Sequence, residues 1–194
     1  MINPYLNIFS DKHFIKFSVK FLLIFSVCYF GTLILIGAVA PAGFYSPFAE
    51  KYLDYVGFIM GSLIDASKFL LSFFGINTYR APFFVIRVVN GSGVQVAYDC
   101  VGYGVMSFWI AFVLASVTTL KKKILWLLGG LLLLWVINVC RISLVLVANY
   151  RNWNTPVGLD HHTVFNIVAY LAIFIMMYFF SKNSVNENTK KSKI

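Results

Sequence analysis

Four stretches of this chain are apolar over close to the length a bilayer demands, and this constrains the fold more than any motif in it. Crossing the hydrocarbon takes roughly 20 residues of helix, because every backbone N–H and C=O must be satisfied there within the segment. Phe17 to Val39, Val101 to Leu120 and Ile124 to Ala148 meet that length, and Thr163 to Phe180 is slightly shorter but almost wholly apolar. Composition agrees: 60% of residues are hydrophobic and 12% charged, against about 25% charged in soluble domains. The expected fold is therefore an all-α integral membrane protein of about four transmembrane helices.

The net charge of +9 sits at segment ends, in "DKHFIKFSVK", "LKKKI" and "TKKSKI". These lysines build no basic face with interleaved aromatics, so nucleic acid is not an expected partner. They are better read as topology signals, since lysine and arginine near membrane ends mark the cytoplasm. Residues 1–16 then form a cytoplasmic N-terminus and 17–39 the first span, running outward. Residues 40–99 form an extracytoplasmic cap and 100–180 a three-helix core, while 181–194 form a cytoplasmic tail whose polar composition reads as disordered. The first apolar run has basic flanks like a signal peptide, but it is longer than a signal h-region and lacks a clear cleavage site, so it reads as a retained anchor.

Within the cap, "EKYLDYVGFIMGSLIDASKFLLSFFG" spaces its charges as an amphipathic surface helix or a re-entrant one would. A full crossing there would break the topological parity. Downstream, "APFFVIRVV" and "VQVAYD" flank "NGSG", a hairpin signal because Asn and Gly supply the positive φ of a tight turn. The cap is expected to hold one helix and one β-hairpin.

This topology sorts the polar residues by depth. Cys100 opens the second helix of the sequence-predicted set at its outer end, in "YDCVGYG". Arg141 lies about five residues below the outer end of the third, roughly 8–10 Å. His161 and His162 introduce the fourth, in "LDHHTVF". Three reactive side-chain types from three helices thus fall in one leaflet. Thiolate is a nucleophile toward carbonyls, and a neighbouring base or cation favours it. The oxyanion that forms needs a positive or hydrogen-bond-donating group in a water-poor site. Arg141 is a candidate clamp because an intramembrane charge is functional by default, the alternative being a side chain that snorkels to the headgroups. Asn138, one turn before Arg141, either bonds the same site or holds helices together. Asp160 either orients an imidazole or caps the fourth helix, and Asp99 has the same two readings beside Cys100. Gly102 and Gly104 allow close approach of backbone. Cys28 and Cys140 read as apolar fillers. The cysteines form no even-numbered disulfide framework and no CxxC metal pair, and no cofactor or metal is expected.

The ordered trio "DCVG", "NVCRI" and "HHTVFN", each at the outer end of a membrane helix, resembles the exosortase and archaeosortase family of membrane transpeptidases over about residues 95 to 180. "CVG" stands where "CSG" is common in that family. The resemblance implies Cys100 as nucleophile, Arg141 as transition-state stabiliser and His161 or His162 as base. His162 is preferred because Asn166, four residues on, matches the small or polar position that follows the family's histidine. It further implies as partners exported proteins with a C-terminal sorting signal: a short motif, a hydrophobic helix and a basic end. Cleavage at the outer face of a bacterial cytoplasmic membrane would leave a thioester on Cys100, resolved by an acceptor amine or glycolipid. The residues alone reach only cysteine acyl transfer at the outer leaflet.

A non-enzymatic scaffold or transport subunit is the alternative, with Arg141 holding a lipid phosphate or a carboxylate. An intramembrane metalloprotease is disfavoured, since the spanning windows hold no glutamate and adjacent histidines project about 100° apart on a helix, unlike HExxH. No GxSxG elbow supports a serine hydrolase.

Overall fold

A computed structural model describes residues 12–40, 43–151, 153 and 161–191, with the side chains of 161–165 and 183–191 outside the description. Helix α1 (Lys12–Val39) is 28 residues long, about 42 Å at 1.5 Å per residue. A short α2 (Pro47–Leu53) carries proline in its first turn, where the missing N–H costs nothing. Helix α3 (Tyr55–Ser72) is capped by Asp54, whose carboxylate accepts from the Gly57 N–H at 2.8 Å. Helices α4 (Tyr103–Ala115), α5 (Leu120–Tyr150) and α6 (His161–Lys191) complete the helical set among the described residues.

Three described helices are long and apolar enough to cross a membrane: α1, α3 and α5. Helix α4 is shorter, and α6 is described with its side chains only over Asn166–Lys182, an apolar stretch. The second sequence-predicted span, 101–120, is corrected by this. Gly102 takes a left-handed conformation (φ 74°) that starts α4 late, and Ser116 turns extended (φ −64°, ψ 146°) and ends it after 13 residues, about 20 Å. Helix α6 continues to Lys191, through residues whose composition alone reads as disordered.

The "NGSG" turn joins β2 (Val85–Val88) to β3 (Gly93–Gln95), in the register Val85 opposite Gln95 and Arg87 opposite Gly93. Asn90 alone supplies a positive φ, 58°; Gly91 is needed for space, because a Cβ there would stand 2.8 Å from the ring of Tyr150. That contact seats the turn on the C-terminal end of α5. The hairpin extends to a three-stranded antiparallel sheet through β1 (Thr78–Ala81), which pairs Thr78 with Val88 and Ala81 with Val85. The fold is thus helical with a small meander, not purely helical.

Two apolar cores follow. The cap core joins Val56, Met60, Leu63, Ile64 and Leu71 of α3 to Ile86 and Val88 of β2 and to Ile142 and Leu146 of α5. Alternation in β2, with Ile86 and Val88 buried and Arg87 exposed, is the period-2 pattern of a half-buried strand. Trp135 ties the same layers by donating from its indole N–H to the Ser62 hydroxyl at 3.0 Å. The second core joins Trp109 and Val113 of α4 to Leu134 of α5 and to Ile173, Met176 and Phe180 of α6. Along α1 the aromatics at four-residue spacing, Phe17, Phe21, Phe25 and Tyr29, stack on one another. They meet Phe112, Phe108 and Tyr103 in turn, so α1 and α4 run antiparallel with Tyr29 beside the start of α4.

Candidate active site

Cys100 sits in a single 3-10 turn, Tyr98–Val101, between the sheet and α4. The backbone reverses at Gly102, where a left-handed φ excludes most side chains. The turn is held from α5: Asn138 Nδ2 donates to the buried Val101 carbonyl at 2.8 Å. A Cβ at Gly102 would come within 3.1 Å of that same nitrogen. One helical turn beyond Asn138, the guanidinium of Arg141 reaches the thiol, with Nη2 3.9 Å from Cys100 Sγ. Two residues 41 apart in sequence are thereby brought together. Cys100 is half-buried and leans on the cap core. Cys140 is exposed, and Cys28 lies in α1.

A cavity of about 520 Å³ opens beside this turn. Its body is apolar, formed by Phe25 of α1, Phe108 of α4, Leu134 and Ile137 of α5, and Ile173 and Phe174 of α6. Its polar lining comprises Asp99, Asn138, Arg141, Asn166 and the tyrosines Tyr29, Tyr103 and Tyr170. Cys100 is not among the lining residues; Arg141 is the side chain that touches both cavity and thiol. Asp99 receives a hydrogen bond from the Tyr103 hydroxyl at 3.4 Å. Neighbouring Tyr98 is held above its ordinary range by burial first and by the Asp54 carboxylate second.

Sequence reasoning put Cys100, Arg141 and the two histidines in one leaflet, with Asn138 a turn from Arg141 and Gly102 just after the cysteine; the structure brings Cys100, Arg141, Asn138 and Gly102 into one cluster. It did not identify Phe25 and Tyr29 as cavity walls, although their place in the four-residue aromatic ladder of α1 was visible. His161 and His162 open α6, but their side chains lie outside the described residues, as does Asp160 entirely. Asn166, four residues past His162, lines the cavity.

These features define an integral membrane protein in which a thiol and a guanidinium pair beside an apolar cavity between helices. The model of one family, described as Transmembrane exosortase (Exosortase_EpsH), matches residues 8–179 of the 194, and the chain belongs to that family. No curated protein and no solved structure gives a match.

Proposed function

We propose that the chain is a cysteine transpeptidase that cleaves C-terminal sorting signals of exported proteins at the outer face of a bacterial cytoplasmic membrane. The observation that carries this reading is the 3.9 Å approach of Arg141 to Cys100 beside the cavity. A substrate whose apolar helix lies in the bilayer presents its outer end to Arg141 through the cavity, so the reacting groups meet without a search in solution. Cys100 attacks the scissile carbonyl, and Arg141 holds the negative charge that develops on oxygen, where low polarity strengthens the interaction. His162, or His161 beside it, takes the thiol proton and returns one to the departing amine, as a general base and acid does. The peptide amine leaves with the sorting helix, and the exported protein stays on Cys100 as a thioester. Asn138 acts through the backbone, keeping the Cys100 turn in place from the same face of α5 as Arg141.

The test is processing of a tail-signal precursor in cells, with expression of each variant verified. Cys100→Ala should leave the precursor uncut, and Arg141→Gln should slow processing by about 10²–10³-fold, the range for removing an oxyanion donor. Normal processing by Cys100→Ala would overturn the assignment and favour the scaffold reading, with Arg141 as a lipid or carboxylate site.

A further inference from the structure

Asp99 lines the cavity and carries a charge, and the acyl-transfer step assigns it no part. Asp99 adjoins the nucleophile, and a carboxylate beside a carbonyl that is gaining negative charge opposes the reaction by like-charge repulsion. A capping role would explain it, but the structure gives it none. The 3-10 turn begins after Ala97 and α4 after Gly102, each without a side-chain cap. Among the described residues Asp99 takes part in one hydrogen bond, from Tyr103. It faces the cavity together with the rings of Tyr103 and Tyr29, whose centroids are 5.5 Å apart. A carboxylate bonded to one tyrosine, with a second tyrosine ring beside the first in the same cavity, recognises an organic ammonium through a charge-assisted hydrogen bond and cation–π attraction.

We propose that Asp99, Tyr103 and Tyr29 form the binding site for the primary ammonium group of the acceptor that resolves the Cys100 thioester. The inference rests on the transpeptidase reading and names the acceptor class within it. The ammonium binds in the cavity at Asp99, which precedes Cys100 in the chain, and Arg141 reaches from that cavity to the sulfur. It loses one proton to solvent through the Asp99 carboxylate. The amine lone pair then forms the C–N bond as the C–S bond breaks, and the second proton lost from nitrogen ends on the Cys100 sulfur as thiol. The products are an amide and the free enzyme, with no redox partner needed. The ammonium belongs either to a small soluble amine or to an amine-bearing lipid headgroup, which the same site recognises alike.

The experiment uses the full chain in proteoliposomes with a tail-signal precursor, reading the new C-terminus by mass spectrometry. Ethanolamine, a cation at neutral pH, and hydroxylamine, uncharged there, compete in one reaction. In Asp99→Asn the ratio of ethanolamide to hydroxamate should fall about tenfold, the effect of losing a charge-assisted contact to a cation. Asp99→Glu should restore part of it, and Tyr29→Leu should lower it with the carboxylate intact. Without soluble amine, a lipid-linked product in phosphatidylethanolamine vesicles but not phosphatidylcholine ones assigns the acceptor to the bilayer. Product only with added ethanolamine assigns it to solution; both outcomes support the site if they depend on Asp99. An unchanged ratio in Asp99→Asn, while precursor is still consumed, overturns this inference alone. Wild-type protein that consumes no precursor overturns the transpeptidase reading and this inference with it.

Discussion

Replacing Asn138 by alanine tests whether the Cys100 turn is pinned from α5. The bond removed is short, 2.8 Å, and its acceptor belongs to Val101, which is 1% exposed. Water has poor access to that carbonyl, so the loss includes its desolvation, about 1–3 kcal/mol. For a chain of this size the midpoint should shift by roughly 2–4 °C per kcal/mol, or about 4–8 °C near the middle of that range. The local effect should be larger than the global one, because the turn keeps only the longer Arg141–Cys100 contact among its side-chain hydrogen bonds to α5. Alkylation of Cys100 by a maleimide should accelerate several-fold, with Cys28 and Cys140 replaced by serine so that one thiol is read. Gly102→Ala supplies the cross-check. Its left-handed backbone should cost about 1–2 kcal/mol, and its Cβ also presses on Asn138 Nδ2 at 3.1 Å. In the double variant the steric part vanishes while the backbone part remains, so the two costs should sum to less than their separate values. Additivity within about 0.5 kcal/mol, together with unchanged alkylation, would refute the pinning argument.

Other contacts give sharper yes-or-no outcomes. A Cβ at Gly130 would stand 2.0 Å from Trp109 Nε1, which donates to the Trp126 carbonyl, whereas nothing lies within 4 Å of one at Gly129. Gly130→Ala should therefore lower resistance to denaturing detergent by about 1–3 kcal/mol, and Gly129→Ala should leave it equal or raise it by up to about 1 kcal/mol. Lys123 donates to the Leu114 carbonyl at 3.0 Å near the end of α4; Lys123→Met should cost about 1 kcal/mol and speed proteolysis between α4 and α5. Tyr98 keeps its proton above the ordinary 10.0, so between the two values the folded state binds more protons than the unfolded one. Stability then falls as pH rises through that window, and Tyr98→Phe should flatten the slope in alkaline melting curves.

The part of this architecture legible in sequence is the part carried by local signals. Apolar length revealed α1 and α5, and "NGSG" marked the β2–β3 turn. Depth counted from lysine-marked ends put Cys100 and Arg141 in one leaflet. What was not legible depends on contacts between distant segments. The strand "TYRA" is four residues long with no alternation of its own, and its pairing with β2 makes it a strand. The early end of α4 depends on Ser116 turning extended, which the apolar window up to Leu120 conceals. The cavity wall from α1 depends on which face of that helix meets α4, and aromatic interlock at Phe21–Phe108 and Tyr29–Tyr103 decides this.

Asn138 and Arg141 lie three residues apart on α5. Residues three apart share a helix face, so the orientation of α5 that lets Asn138 reach the Val101 carbonyl also carries Arg141 to the neighbouring thiol. Rotating α5 by one residue, about 100°, would break both contacts at once. Asn138 is 9% exposed and Leu146 wholly buried in the cap core, both on α5, so the packing that fixes this helix also resists such a rotation. Position 138 thus couples cap packing to the thiol–guanidinium geometry. A cap-core substitution remote from the cavity, Leu146→Ala, is then expected to disturb the Cys100 turn through α5. Faster Cys100 alkylation should accompany a stability loss of about 2–5 kcal/mol. If the protein is destabilised by that much while the alkylation rate of its folded form stays at the wild-type value, the cap and the thiol site are independent, and the shared-face argument fails.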